Sequence, residues 1–295
     1  MSTAKSFLTG AEGNALAITE CKPADAPKAT VLLLHGGGQT RHSWAAAGER
    51  LAAEGYRAIA MDARGHGESE WLASKNYRMS DMAADLEVVA NELASDAAQL
   101  VAVGASMGGL MTMLVNARNP NTFAANVFVD ITPRMQAAGV NRIMTFMAAK
   151  ADEGFGSVEE AADAIADYMP SRPKPTDLSG LSKNLRQRDN GRFYWHWDPA
   201  FAIGPDNIVS QQEEAEALLA QACKSIIAPT LLIRGARSDL VSTEDVAHFR
   251  SLVAHAEYED ISDAGHMIVG DRNDVFTAAV VSFLERTLEP LKVGA

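Results

Sequence analysis

Leu100-Val101-Ala102-Val103-Gly104-Ala105-Ser106-Met107-Gly108-Gly109 joins an apolar run to Gly-x-Ser-x-Gly and then to a helix-forming segment. A serine set where a strand turns sharply into a helix is held in a strained backbone. Its side chain is raised at the C-terminal edge of the sheet, over a helix N-terminus. Glycines at 104 and 108 relieve the close approach of strand and helix that a larger side chain would block. Ser106 is therefore a candidate nucleophile, the alternative being a Gly/Ser-rich turn that matches the pattern by chance.

On both sides of this stretch, short apolar runs alternate with amphipathic segments, the pattern of βα units around a mostly parallel sheet. Residues 6–9 and 15–19 read as an opening hairpin, and 30–35, 57–62, 126–130, 230–235 and 257–261 as strands. Helices are expected over 43–54, from an N-cap at Ser80 through Leu93, from Ser106 to about Asn116, and over 243–253 and 275–288. Between Asp130 and Thr230 the alternation stops. The roughly 95 residues there are too many for a loop and read as an inserted, mostly helical subdomain. It contains Pro170, Pro173 and Pro175, and Ser157-Val158-Glu159-Glu160 forms a capping box for a helix through Tyr168. The expected organisation is an α/β core from 1–130 and 228–295 carrying a helical cap at 131–227.

Composition narrows the function classes. With 47% hydrophobic and 22% charged residues among 295, the chain is globular, and its length suits one α/β domain with an insertion. No apolar run reaches about 18 residues, so no membrane span is expected. The net charge of -12 argues against a nucleic-acid partner. Residues 1–20 carry Lys5, Glu12 and Glu20 without an apolar h-region, so a signal peptide is not expected and the cytoplasm is the expected location. Cys21 and Cys223 lie far apart without CxxC spacing, which fits isolated thiols. No histidine shares metal-ligand spacing with another histidine or with a carboxylate pair, so a metal hydrolase is not expected.

A serine nucleophile needs a base to take its proton and a third group to orient that base. His266, in Asp263-Ala264-Gly265-His266, follows the last strand, and Asp239, in Arg237-Ser238-Asp239-Leu240-Val241, follows the strand ending at Gly235. Both sit at strand C-terminal ends, the edge where open α/β sheets bind ligands. Asp130, which ends the strand before the insertion, competes with Asp239 for the acid role. His35 is expected to fix its turn by hydrogen bonding, and His66 to be structural.

His35-Gly36-Gly37-Gly38 after the third strand and Asp62-Ala63-Arg64-Gly65-His66-Gly67-Glu68-Ser69 after the fourth add two more motifs. Taken in order with the elbow, Asp239 and His266, they make the chain resemble α/β-hydrolase fold proteins over nearly its whole length. The likeness is to the capped, epoxide-hydrolase-like and non-haem haloperoxidase-like branch. It implies a Ser106, Asp239, His266 triad, because Ser238-Asp239 with Val241 matches the commoner acid position, while some haloalkane dehalogenases carry the acid where Asp130 stands. It also implies an oxyanion hole from the N–H groups of Met107 and Gly37, with Gly38 as runner-up.

Met144, Phe146, Met147, Tyr168, Tyr194, Trp195 and Trp197 of the insertion are expected to line an apolar substrate pocket, with His35, Asp130 and Met267 at its border. Trp195 and Trp197 cannot share a helix face, so one is expected to pack and the other to line the entrance. Epoxide hydrolases and haloalkane dehalogenases of this branch attack with aspartate. Serine would leave an ether with no carbonyl to hydrolyse, so acyl transfer is the expected chemistry. The expected function is cofactor-free hydrolysis of a small-molecule carboxylic ester or lactone of small to medium size. Perhydrolysis, carbon–carbon hydrolysis and a small-molecule receptor are the alternatives, and Met267 stands where carbon–carbon hydrolases often place an aromatic residue.

Overall fold

The apolar runs form one eight-stranded sheet in a computed structural model that describes residues 1–95, 99–170, 177–204, 212–268 and 273–288. Pro173 and Pro175 lie outside the described residues. The strands are β1 (Ser2–Thr9), β2 (Ala15–Lys22), β3 (Thr30–Leu34), β4 (Arg57–Met61), β5 (Leu100–Ala105) and β6 (Ala125–Val129). A separate hairpin of β7 (Leu185–Gln187) and β8 (Phe193–Trp195) precedes β9 (Thr230–Gly235) and β10 (Glu257–Ile261). The sheet order is β1-β2-β4-β3-β5-β6-β9-β10, and β2 runs antiparallel to both its neighbours while the other pairs are parallel.

Strands β3, β5, β6 and β9 are buried along almost their whole length, which is why they read as continuous apolar runs. Successive side chains divide between two cores: Leu32, Leu34 and Ala102 join one, Val31, Leu33, Val101 and Val103 the other. On the first face lie α2 (Met79–Ala94), α3 (Met107–Arg118), α8 (Gln212–Cys223) and α9 (Thr243–Leu252). On the second lie α1 (Ala45–Ala53) and α10 (Asn273–Thr287).

Register places the functional turns side by side. Ala105 pairs with Val129, Val129 with Ile233 and Gly235 with Ile261, so Ser106, Asp130 and the turns after β9 and β10 emerge at one sheet edge. Leu34 pairs with Gly104, which brings the His35 turn to the same edge.

The chain between β6 and β9 forms α4 (Ala137–Ala148), α5 (Val158–Tyr168), α6 (Ser179–Ser182), the β7–β8 hairpin, α7 (Pro199–Ile203) and α8. Met147, Phe155, Ala161, Leu185, Trp195 and Trp197 give the earlier part its own small core. Helix α8 instead packs on α3, and its Leu219 and Cys223 join the main core. The hairpin differs from the helical expectation for this stretch and reverses the reading of the tryptophans. Trp195 ends β8, Trp197 lies in the bend that follows, and the two indoles stack at 4.9 Å between centroids.

Two helix starts also differ. Helix α2 begins before Ser80, with Arg78 at its N-cap, whose N–H donates to Asp81 Oδ2 at 3.2 Å. Ser157 does cap α5, accepting from the Glu160 N–H at 3.2 Å, but the Glu160 carboxylate turns to the Gly156 N–H. Among the described residues, no helix is long and apolar enough to cross a membrane.

Candidate active site

Ser106 is the N-cap of α3 and has φ 47° and ψ -115°, a left-handed conformation costly for any residue with a Cβ. Packing makes that turn possible only with glycine around it. A Cβ on Gly104 would lie 2.6 Å from the Gly108 backbone, and one on Gly108 would lie 2.5 Å from the Leu34 carbonyl oxygen. Main-chain bonds fix the serine from both sides: its N–H donates to Val129 O at 3.1 Å and its carbonyl accepts from Gly109 at 2.9 Å. Among the described residues no hydrogen bond occupies the Ser106 hydroxyl, and Ser106 and His266 border the same cavity.

The carboxylate on His266 is Asp130, not Asp239. His266 Nδ1–H donates to Asp130 Oδ2 at 2.6 Å. Asp130 is fully buried, has φ 49°, and also accepts from the Gly235 N–H at 3.0 Å and the Ser238 hydroxyl at 2.5 Å. Asp239 turns away and pairs with Arg142 of α4 at 2.7 Å, with side chains 42% and 49% exposed. The cause is local. Ser238 Oγ accepts from the N–H groups of Leu240 and Val241, each at 3.2 Å, so the tight turn aims the Ser238 hydroxyl inward at Asp130. It leaves Asp239 on the outside of the loop.

The His35 turn is built on buried histidines. His35 Nδ1–H donates to Gly36 O at 2.8 Å and its Nε2 accepts from the Ala63 N–H at 3.0 Å, so it fixes the turn as expected. Gly38, at φ 71°, donates its N–H to His66 Nε2 at 3.4 Å. That occupies the Gly38 donor. The N–H groups of Gly37 and Met107 make no hydrogen bond to other described residues, and both residues border the cavity. Gln39 ties the turn to the His266 loop: its Oε1 accepts from the Gly36 N–H and its Nε2 contacts Met267 Sδ at 2.8 Å.

Burial holds His35 below the usual histidine range, and burial beside His35 pushes His66 down to about 3. His196 of the insertion, whose Nδ1 accepts from the Gly67 N–H at 2.7 Å, is held well below its usual value by the same burial. All three imidazoles are thus neutral acceptors for main-chain N–H groups.

The insertion is pinned to the 62–69 turn. Besides the His196 bond, the Asp198 N–H donates to Gly65 O at 2.8 Å, and the Asp198 carboxylate, despite its desolvation, is held charged by Lys75 at 2.7 Å and the Tyr77 hydroxyl at 2.6 Å. On its other side, Arg142 reaches across to Asp239 and places its guanidinium 4.9 Å over the Tyr168 ring. Tyr168 stacks on Phe146, and Phe146 packs against Trp195.

Between sheet edge and insertion lies a cavity of about 870 Å³. Of the residues expected at its wall, Met144, Phe146, Met147, Tyr168, Trp195, Trp197 and Met267 border it, together with Gly37, Gly38 and Met107. Tyr194 does not; its hydroxyl accepts from Asn190 and its ring lies under Arg188. His35 and Asp130 stand behind the wall rather than in it, because their polar atoms are spent on the turn and on His266. Sequence reasoning missed Leu110, Leu114 and Met135 at the wall. The i, i+4 pair Leu110 and Leu114 on α3 was the available signal. Among the described residues, no group of three His, Cys, Asp or Glu could hold a metal ion.

Several known proteins share this arrangement of the chain. An esterase of Mycobacterium tuberculosis, Rv0045c, is 29% identical over 247 residues, covering 82% of this chain and 78% of its own. Its crystal structure superposes with a TM-score of 0.73 over 97% of this chain and 92% of that one, at 26% identity. A mouse (Mus musculus) sn-1-specific diacylglycerol lipase, ABHD11, is 29% identical over 272 residues, covering 88% of this chain and 82% of the lipase. E-2-(acetamidomethylene)succinate hydrolase has the same fold, with a TM-score of 0.78 at 19% identity over 96% of this chain and all of its own. The family model for the alpha/beta hydrolase fold matches residues 29–272, and the chain belongs to that family.

Proposed function

We propose that the chain hydrolyses carboxylic esters of apolar small molecules through an acyl-enzyme on Ser106. The observation that carries this reading is the 2.6 Å bond from His266 Nδ1–H to buried Asp130, beside the cavity that Ser106 borders. With Nδ1–H held by the carboxylate, Nε2 is the ring nitrogen left to accept the Ser106 proton as Oγ attacks the acyl carbon. The negative charge that develops on the carbonyl oxygen falls to the Gly37 and Met107 N–H groups, each contributing a few kcal/mol in the transition state. His266 then protonates the departing alcohol oxygen, and the acyl group stays on Oγ. A water deprotonated by His266 attacks the acyl-enzyme, the acid leaves, and Ser106 regains its proton. Asp130 keeps the imidazole in one tautomer and stabilises its cation throughout. No step calls for a metal or an organic cofactor.

The names of the esterase and lipase relatives agree with this chemistry, and a lactone presents the same acyl carbon in a ring. The test is labelling by a fluorophosphonate, read by intact mass, alongside turnover of a panel of nitrophenyl esters and acyl lactones. One adduct that disappears in Ser106→Ala, with turnover lost in parallel, is the expected result. Labelling undiminished in Ser106→Ala removes Ser106 as nucleophile.

A further inference from the structure

The cavity has a direction. Its border follows α3 from the elbow outward through Met107, Leu110, Leu114 and Ala117, the spacing of one stripe on a helix. From Met107 to Ala117 the stripe is about 15 Å long at ~1.5 Å per residue. Met79 of α2 and Leu218 of α8 flank it, and both of those helices pack against α3. Leu110 and Leu114 are buried at 2% and 8% exposure, whereas Ala117 and Arg118 are exposed, so the channel starts at the serine and opens to water at its far end. The other lobe is different in kind, walled by the aromatic series Phe146, Tyr168, Trp195 and Trp197. Although the chain carries a net charge of -12, no Asp or Glu borders the cavity among the described residues.

We propose that the α3 channel holds the acyl chain of a linear, long-chain ester, extending the ester-hydrolase reading on which it rests. Aliphatic and thioether walls suit a flexible methylene chain, since methionine adapts to whichever rotamers the chain adopts. At ~1.3 Å of advance per carbon–carbon bond, about a dozen carbons span the stripe. Each buried methylene contributes roughly a threefold to fourfold gain. Carbons beyond Ala117 lie in water and add nothing, so preference rises with length and then levels off.

The test uses the full chain and nitrophenyl esters from acetate to hexadecanoate. Expected is a kcat/KM that climbs about threefold per methylene and levels near dodecanoate. Ala117→Trp, at an exposed position, and Leu114→Trp, nearer the serine, each lower the dodecanoate-to-butyrate ratio at least about tenfold. Val88→Trp, on the exposed side of α2, leaves that ratio unchanged. Titration calorimetry with sodium dodecanoate reads the channel without catalysis: dodecanoate binds more tightly than octanoate, and Ala117→Trp removes the difference. A flat length profile in an active enzyme, a ratio insensitive to both tryptophans, or no dodecanoate binding overturns the channel. Binding that responds to Ala117→Trp in a protein that turns over no ester keeps the channel and removes the ester reading.

Discussion

Asp130 and Asp239 both follow strands at the same edge of the sheet, and they have opposite surroundings. Asp130 is buried and takes hydrogen bonds from a main-chain N–H, a serine hydroxyl and the His266 ring. Asp239 is half exposed and shares one salt bridge with an exposed arginine. A carboxylate removed from water remains charged only when its oxygens are filled by donors or cations. The loop after β9 therefore meets His266's carboxylate partner through Ser238, which donates to Asp130, rather than through its own aspartate.

The largest effect that can break this comparison is on turnover. Asp130→Asn is expected to lower kcat on a nitrophenyl ester by about 10³–10⁴, because the amide selects the wrong imidazole tautomer. Asp239→Asn is expected to stay within about threefold of wild type, as for an exposed pair. The reverse pattern would return the acid role to Asp239.

Burial also governs the histidines behind the His35 turn, where it predicts a pH dependence. A folded pKa of about 3 for His66, against 6.5 unfolded, means that the unfolded chain binds the extra proton between those values. Stability is then complete above pH 6.5 and falls as the pH drops toward 3, by about 2 kcal/mol from His66 alone at pH 5. His35 and His196 act in the same direction. Glu68, held down to about 2 by Lys5 and Arg41, adds its loss only below the ordinary carboxylate range. Urea midpoints at pH 7 and pH 5 measure the difference. Equal midpoints would mean that these rings are not held neutral.

A smaller effect would sharpen the contrast between the two loops. Because Ser238 Oγ lies 2.5 Å from Asp130 Oδ2, adding Ser238→Asp to Asp130→Asn puts a carboxylate near its old place. About tenfold of the lost kcat is expected to return, as for a charge-assisted bond restored in imperfect geometry. No recovery would mean that the backbone at 130 matters as much as the charge. Smallest of all, Arg142→Gln is expected to change stability by less than about 1 kcal/mol in a urea titration. A larger loss would show that the exposed pair holds α4 in place.

The elbow was legible because strand and helix crowd each other within one short stretch, Gly104 against Gly108, although Gly108 and Gly109 also make room for Leu34 and Ile131 from outside it. The sheet was legible for a related reason, since strands buried on both faces read as unbroken apolar runs. Which carboxylate holds His266 was not legible. Asp130 and Asp239 both satisfy a Ser, Asp, His order, and their difference lies in where a tight turn points Ser238, a property of three-dimensional packing. The stacking of Trp195 and Trp197 was not legible, because β8 ends at Trp195 and the bend after it returns the Trp197 indole onto its neighbour. The α3 stripe has the spacing of any apolar helix face, and the cavity along it depends on where α2 and α8 pack.

The bond between His266 and Asp130 spans 136 positions of the chain. A growing polypeptide therefore exposes Ser106 and Asp130 long before it contains His266, and β10 must pair before all three meet. Contacts of such long range form late and slowly. Recovery of turnover during refolding should thus trail the recovery of helical signal, making activity a clock for the closing step of folding.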